Sequence, residues 1–199
     1  RETGGEPLLV ARAADSEKDV RRALAAAAGA DLVISVGGVS MGEYDFVRRV
    51  IEGDGSLDFW RVAMRPGRPL AVGTVGGVTV VGLPGNPVSA LVGFEVYVLP
   101  AILTMSGRTG WARPRRRGTL AAPLDTSAGL RTFVRAVVRP GDRAGLMVTP
   151  LAGQESHQLH SLASANALID VPEEVTTLSA GADVEMLMLE LRPGPAWSA

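Results

Sequence analysis

The stretch DLVISVGGVSMGEYDFVRRVIEG, residues 31–53, decides the fold. Asp31 to Val36 is apolar and β-branched and is closed by Gly37-Gly38, so it reads as a strand buried on both faces, as parallel strands are. In its second half Phe46, Val47, Val50 and Ile51 share one helical face while Arg48, Arg49 and Glu52 point away from it. A strand that passes through a glycine loop into an amphipathic helix is the repeating unit of an α/β sandwich. Upstream, Leu8 to Ala11 is a short apolar run that reads as an earlier strand. Ser16, with Asp19 three residues on, has an acidic variant of capping-box spacing and predicts a helix ending near Gly29.

Downstream, Phe59–Met64 and Leu70–Val75 flank RPGRP (residues 65–69), whose Pro-Gly pair predicts a type II turn and therefore a hairpin. Val78–Val81 is another strand. The loop GLPGNP follows, and a long apolar helix begins with Asn86 as cap and Pro87 at its first position. Pro100 is expected to kink or end that helix. Residues 1–110 are thus expected to form a three-layer α/β sandwich on a mostly parallel sheet. After that the chain turns basic and irregular in RTGWARPRRRG, read as a linker, and then carries short β-prone runs at Thr132–Arg139, Leu146–Thr149, Ala167–Val171 and Val184–Glu190. Residues 111–199 are therefore expected to form a small all-β, barrel-like domain with RPGPAWSA as a frayed tail.

Composition narrows the function. Gly (24) and Pro (13) are abundant in 199 residues, which means many turns, while 46% hydrophobic and 21% charged residues suit a packed core. Twenty basic against 21 acidic residues leave a net charge of −1. That removes the uniform basic field of a non-specific nucleic-acid binder, so any anion site must be local. The absence of cysteine excludes disulfides, thiolate nucleophiles and Cys-based metal sites, and two histidines make a poor basis for a zinc site. Pro69–Phe94 has no charged residue, but its six glycines and three prolines break it into strands and loops of a buried sheet and rule out one bilayer-crossing helix. The start has no signal-peptide pattern and no initiating Met, and the chain reads as a piece of a longer protein.

Ligands of open α/β sheets sit beyond the carboxyl ends of the strands. Two loops occupy that place. In GGVSMGEYD, Gly37, Gly38 and Gly42 let backbone N–H groups approach an oxyanion and Ser40 adds a hydroxyl. In LPGNPVS, Pro84, Gly85, Asn86, Pro87 and Ser89 lead into a helix start that favours anions. Neither is a Walker loop or a dinucleotide fingerprint. Arg65 and Arg68 are held close by the RPGRP turn, and period-2 counting puts Arg61 on the same face as Arg65; they are either solvated hairpin tips or an anion clamp. Asp45 is either an N-cap or a Mg²⁺ ligand, with Glu43 a second candidate. His157 and His160 are read as surface or inter-domain polar residues, and the run Arg113–Arg117 as solvated linker.

The segments DLVISVGGVSMGEYDFV, FWRVAMRPGRPLAVG, GLPGNPVSALVGFE and SHQLHSLASANALI, in this order, resemble the molybdopterin molybdenumtransferases, the MoeA and gephyrin E-domain family, over about residues 8–190. The resemblance implies insertion of molybdate into adenylylated molybdopterin with Mg²⁺-dependent release of AMP, by a cytoplasmic homodimer working with other proteins of molybdenum cofactor biosynthesis and with neither nucleic acid nor membrane. It implies that Asp45 serves metal and nucleotide, that Arg61 and Arg65 act in catalysis with Arg68 beside them, and that the Pro84–Pro87 loop and Ser89 lie near molybdate. Many relatives have Lys where this chain has these arginines, and Arg binds oxyanions by a planar fork. Where members of the family often have paired acids before the first helix here, this chain has Ala14-Asp15. The resemblance also implies that two N-terminal domains and the first strand and helix of the α/β domain precede these residues, and that a partner subunit completes the cleft, leaving these 199 residues poorly active alone. Two other readings stay open: an adenylyl-transfer enzyme of the same pathway, and a gephyrin-like scaffold.

Overall fold

The structure, a computed structural model, describes residues 3–39, 45–110, 112–141, 145–154 and 159–189. It divides into two compact units, one of Arg1–Val62 with Gly67–Arg108 and one of Ala63–Pro66 with Thr109–Ala199.

The first unit begins with helix α1 (Glu17–Ala26), whose N-cap is Ser16. The Ser16 hydroxyl oxygen accepts from the Asp19 N–H at 3.1 Å and donates to the Asp19 carboxylate at 2.7 Å, which is the expected capping box with Asp in place of Glu. Then come β1 (Leu32–Val36), α2 (Phe46–Asp54), β2 (Gly55–Trp60), β4 (Ala71–Val75) and β5 (Val78–Leu83). The strand order is β1-β5-β4-β2. Only β1 and β5 run parallel, while β5–β4 and β4–β2 are antiparallel. The four-stranded sheet is mixed where a mostly parallel one was expected, because two hairpins follow one another after α2. Leu8–Ala11 lies outside any sheet, with Leu8 and Leu9 exposed.

Alternating side chains send β5 into two helix layers. Val80 on one face packs with Val20 of α1 and Val47, Val50 and Ile51 of α2. Val81 and Leu83 on the other face pack with Val98 and Ile102 of the long C-terminal helix. The result is the expected three-layer α/β sandwich. Gly73 on β4 permits the close approach of α2: a Cβ there would lie 2.4 Å from the Ile51 Cγ2 and 2.3 Å from the Ser56 carbonyl oxygen.

The long helix contains α3 (Pro87–Gly93), a π-turn (Phe94–Val98) and α4 (Leu99–Met105). Pro100 neither ends nor replaces the helix. It has no N–H to give and would clash with the carbonyl four residues back, and the register just before it widens, with the Leu99 N–H bonding the Phe94 carbonyl. Pro87–Met105 is long and apolar enough to cross a membrane by length and composition. Here Val88, Val92, Val98, Leu99 and Leu103 are buried, as in a core helix.

The second unit is a closed five-stranded barrel of β6 (Arg115–Leu120), β8 (Arg131–Pro140), β9 (Leu146–Pro150), β10 (Ala167–Val171) and β12 (Asp183–Met188). Its order is β10-β12-β6-β9-β8, and a β10–β8 ladder of five pairs closes the ring. Short strands β7 (Leu124–Asp125) and β11 (Thr177–Leu178) pair separately, and α5 (Leu159–Ser164) precedes β10. The core is Leu120, Val134, Ala136, Val138, Val148, Ile169, Val184 and Met186 among others.

The basic run read as a linker is strand β6. Its charge is paired across the barrel: Arg117 meets Asp183 at 3.2 Å, and Arg115 meets Glu185 and Asp170. Asp170, 2% exposed in its side chain, also takes two hydrogen bonds from Arg131, both 2.7 Å. Burial alone would lower the pKa of the Arg115 guanidinium, and the hydrogen bonds to Glu185 and Asp170 more than reverse it.

Candidate functional site

Because β1 and β5 are adjacent and parallel, the loops that leave them emerge side by side. The Gly37 N–H bonds the Leu83 carbonyl at 2.8 Å, which carries the ladder one residue past the end of β1. Gly37 and Gly38 have φ of 96° and 71°, the left-handed region that L side chains avoid. A Cβ on Gly85 would lie 3.5 Å from the Gly37 Cα, so the two loop backbones touch with no side chain between them. Val39, fully buried, fills the space over Gly82 and anchors the first loop to the sheet. Ser40, Gly42 and Glu43 lie outside the described residues, as does His157. His160 falls on α5.

Asp45 is 5% exposed at the head of α2, and its carbonyl accepts from the Arg49 N–H at 3.0 Å. Its carboxylate makes no cap hydrogen bond to the helix. Asp45 thus stands at the N-cap position of α2 without capping the helix through its side chain. At the start of the long helix the Asn86 side chain accepts from the Val88 N–H at 3.1 Å, with Pro87 at the first helical position. One of the free donors of that helix start is therefore spent on its own cap. Pro84 and Ser89 are buried, and Gly85 and Pro87 are exposed.

The arginines are arranged differently from the expectation. Strand β2 ends at Trp60, and Arg61 takes a left-handed backbone, φ 72°. Period-2 counting therefore does not carry over from Arg61 to Arg65. The chain between β2 and β4 closes on itself through Arg61 N–H to Leu70 carbonyl and Val62 N–H to Arg68 carbonyl, each 3.0 Å. Between these bonds Met64–Arg65 forms β3, parallel to β8 at Arg131 and Thr132 in the second unit. The compact turn expected at RPGRP is thus opened into an excursion, with a cis Arg65–Pro66 peptide and Gly67 at φ 102°. The Arg65 guanidinium donates to the Ser127 hydroxyl at 3.3 Å. Arg61, Arg65 and Arg68 are all exposed.

Sequence reasoning passed over Trp60 and Arg48. The Arg61 and Arg48 guanidiniums stack on the Trp60 ring at 4.0 and 4.1 Å from its centre. Arg48 also meets Glu52 at 3.1 Å one turn along α2, and the Trp60 indole N–H donates to the Val39 carbonyl at 3.3 Å. An aromatic residue ending a strand just before a basic segment was the available signal. Arg135 was passed over too. It is 1% exposed on β8, donates to the Gly153 carbonyl at 2.7 Å, and its backbone is bridged by Gln154. A lone charge inside the apolar run FVRAVV was its mark in the sequence.

Among the described residues no group of three or more His, Asp or Glu side chains could hold a metal by itself. A Mg²⁺ ion needs fewer, since it is commonly held by one or two carboxylates with substrate phosphates and water completing its shell.

Two family models match the chain: a probable molybdopterin binding domain over residues 1–104, and the MoeA C-terminal region, domain IV, over residues 117–189. The chain is 42% identical over 166 residues to molybdopterin molybdenumtransferase 2 of Mycobacterium tuberculosis, covering 80% of this chain and 40% of that protein. It is 37% identical over 172 residues to the molybdopterin molybdenumtransferase of Haemophilus influenzae, covering 85% and 43%. The crystal structure of the molybdopterin biosynthesis MoeA protein from Pyrococcus horikosii superposes with a TM-score of 0.69 at 27% identity, over 87% of this chain and 40% of that one. The chain thus spans less than half the length of each of these relatives.

Proposed function

Since the chain belongs to the MoeA family of molybdopterin-binding proteins, we propose that it supplies the oxyanion-holding part of a molybdenum insertase. The observation that carries this reading is the pair of side-chain-free loops, Gly37-Gly38 and Gly85, in contact at the carboxyl ends of parallel strands beside the buried Asp45. Such a place suits a phosphorylated ligand: backbone N–H groups come close, and neither loop has a Walker lysine to compete with other cations.

In this reading the substrates are molybdate and adenylylated molybdopterin, and the product released is AMP. Gly37, Gly38, Gly85, Asn86 and Pro87 would face the ligand, and the family resemblance adds Ser40, Gly42, Pro84 and Ser89. Asp45 holds Mg²⁺, which when bound neutralises phosphate charge on the adenylate. Arg61 and Arg68 supply fixed positive charge for the molybdate dianion, and the family resemblance adds Arg65. Guanidiniums bind tetrahedral oxyanions with two donors at once, which orients molybdate as well as attracting it. The protein acts in the cytoplasm as a homodimer whose partner subunit completes the cleft. Longer relatives have room for that wall, because this chain spans only 40% of the mycobacterial protein.

The test uses the longer protein that contains this chain, supplied with adenylylated molybdopterin, Mg²⁺ and molybdate, with AMP measured by chromatography. Asp45→Asn is expected to abolish release at Mg²⁺ concentrations that saturate the wild type, and Arg65→Ala to lower it by about 10²-fold, the scale of losing one charge-stabilising donor. Full activity in both variants would overturn the assignment.

A further inference from the structure

Trp60 ends β2 opposite Ala71 and makes three polar or cationic contacts there. Its indole N–H bonds the Val39 carbonyl, and two guanidiniums, Arg61 and Arg48, lie on its ring. We propose that Trp60 is a positioning residue of this site, tying the Gly37–Val39 loop to the Arg61 cation so that both are held in place before the oxyanion arrives. The inference rests on the functional reading above and adds to it the element that sets the geometry.

The need for such a tie follows from the two ends it joins. Gly37 and Gly38 have no side chains and the largest backbone freedom in the chain, so a loop built on them must be anchored at its exit. Val39 is the first residue after them, and both its groups are used: the side chain is packed over Gly82 and the carbonyl is taken by Trp60. At the other end, Arg61 is the one non-glycine residue with positive φ among the described residues. A flat ring one residue earlier gives its guanidinium a defined resting face, and cation–π contact holds the charge without neutralising it as a carboxylate would. Arg48 shares that ring while meeting Glu52 one turn along α2. The indole thus restrains a loop backbone and a cation through one rigid plane. Ordering these groups in advance lowers the cost of binding.

A residue that merely fills space in the core would behave differently, and the variants are chosen for that. Trp60→Phe keeps a ring for the guanidiniums and loses the N–H donor. Trp60→Leu loses both and keeps apolar bulk. Arg68→Ala removes a proposed molybdate cation that does not touch Trp60. Sodium molybdate is titrated calorimetrically into the longer protein that contains this chain and into each variant of it, and indole emission is followed in parallel.

The expected result is a graded loss: about 3- to 10-fold weaker binding in Trp60→Phe, the scale of one hydrogen bond, and a larger loss in Trp60→Leu. Partial rescue by the aromatic variant is what space-filling by a leucine of similar apolarity cannot give. Molybdate should also change the emission of the wild type, and that change should vanish in Trp60→Phe, which retains Trp111 and Trp197. Where Trp60→Leu fails to fold, Trp60→Phe and the emission change decide. Unaltered affinity in Trp60→Phe together with an emission change that persists would overturn the inference alone, provided Arg68→Ala weakens binding. Wild-type protein that does not bind molybdate, or an Arg68→Ala variant with wild-type affinity, would overturn the site reading and this inference with it.

Discussion

Replacing Gly38 by alanine tests the loop geometry on which the site depends. Gly38 has φ of 71°, and an L residue held there costs about 1–2 kcal/mol relative to the right-handed region. The new Cβ would also lie 2.8 Å from the Val47 Cγ2 and 3.3 Å from its Cβ, well inside the roughly 3.5–4.0 Å of ordinary carbon contact. Val47 is buried against Val50 and Ile51 and, being β-branched on a helix, has one favoured rotamer, so it cannot turn away. Overpacking of this kind costs about 1–3 kcal/mol. Together the two effects predict a loss of about 2–5 kcal/mol, a large share of the roughly 5–15 kcal/mol that stabilises a domain. Urea unfolding followed by the helical far-UV signal reads it, since four of the five α-helices among the described residues belong to the first unit and the midpoint should fall by at least about 1 M. Adding Val47→Ala separates the two contributions. It should relieve the steric part and leave the backbone part, giving a coupling of about 1–3 kcal/mol in the stabilising direction. A Gly38→Ala protein with an unchanged midpoint would refute the backbone argument, and strictly additive losses in the double variant would refute the Val47 contact.

Two further outcomes follow from the charge pairs. Asp170→Asn leaves the half-exposed Arg115 and Arg131 facing a neutral amide in place of a buried carboxylate and should destabilise the barrel by about 1.5–3 kcal/mol in urea unfolding; an unchanged midpoint would mean the network is solvated and idle. On the first unit, the Arg21 guanidinium hydrogen-bonded to Asp54 holds that carboxyl below its usual pKa. A folded pKa below the unfolded one means the pair stabilises the fold above the ordinary carboxylate range and loses that contribution as pH falls through the folded value. Carboxyl-carbon NMR should show the Asp54 midpoint rising toward the ordinary value in Arg21→Gln and with added salt, and an unmoved midpoint would contradict the pairing.

What could be read from sequence was local. The Ser16–Asp19 cap, the strand–glycine–helix passage through residues 31–53 and the Asn86-Pro87 helix start each depend on residues within a few positions of one another, and each appears as expected. The failures involve distant partners. RPRRR looks like a solvated linker until Asp170, Asp183 and Glu185, more than fifty residues away, neutralise alternate arginines and make it a strand. Pro100 looks like a helix end because the π-turn that accommodates it spends backbone bonds, which leave no residue pattern. Arg61 was counted along a strand that Trp60 ends, and nothing in its type announces a left-handed backbone. Leu8–Ala11 has the composition of a strand without a ladder partner among the described residues. The same distinction separates the site residues. Asp45 and the glycines announce themselves by position, whereas Trp60 matters through contacts with Val39, Arg48 and Arg61 that only the folded chain reveals.

If these loops and cations serve molybdate insertion, AMP release must depend on molybdate. With the longer protein, adenylylated molybdopterin and Mg²⁺, AMP is expected only when molybdate is added. Release at the same rate without molybdate, or ATP consumption in its absence, would contradict it.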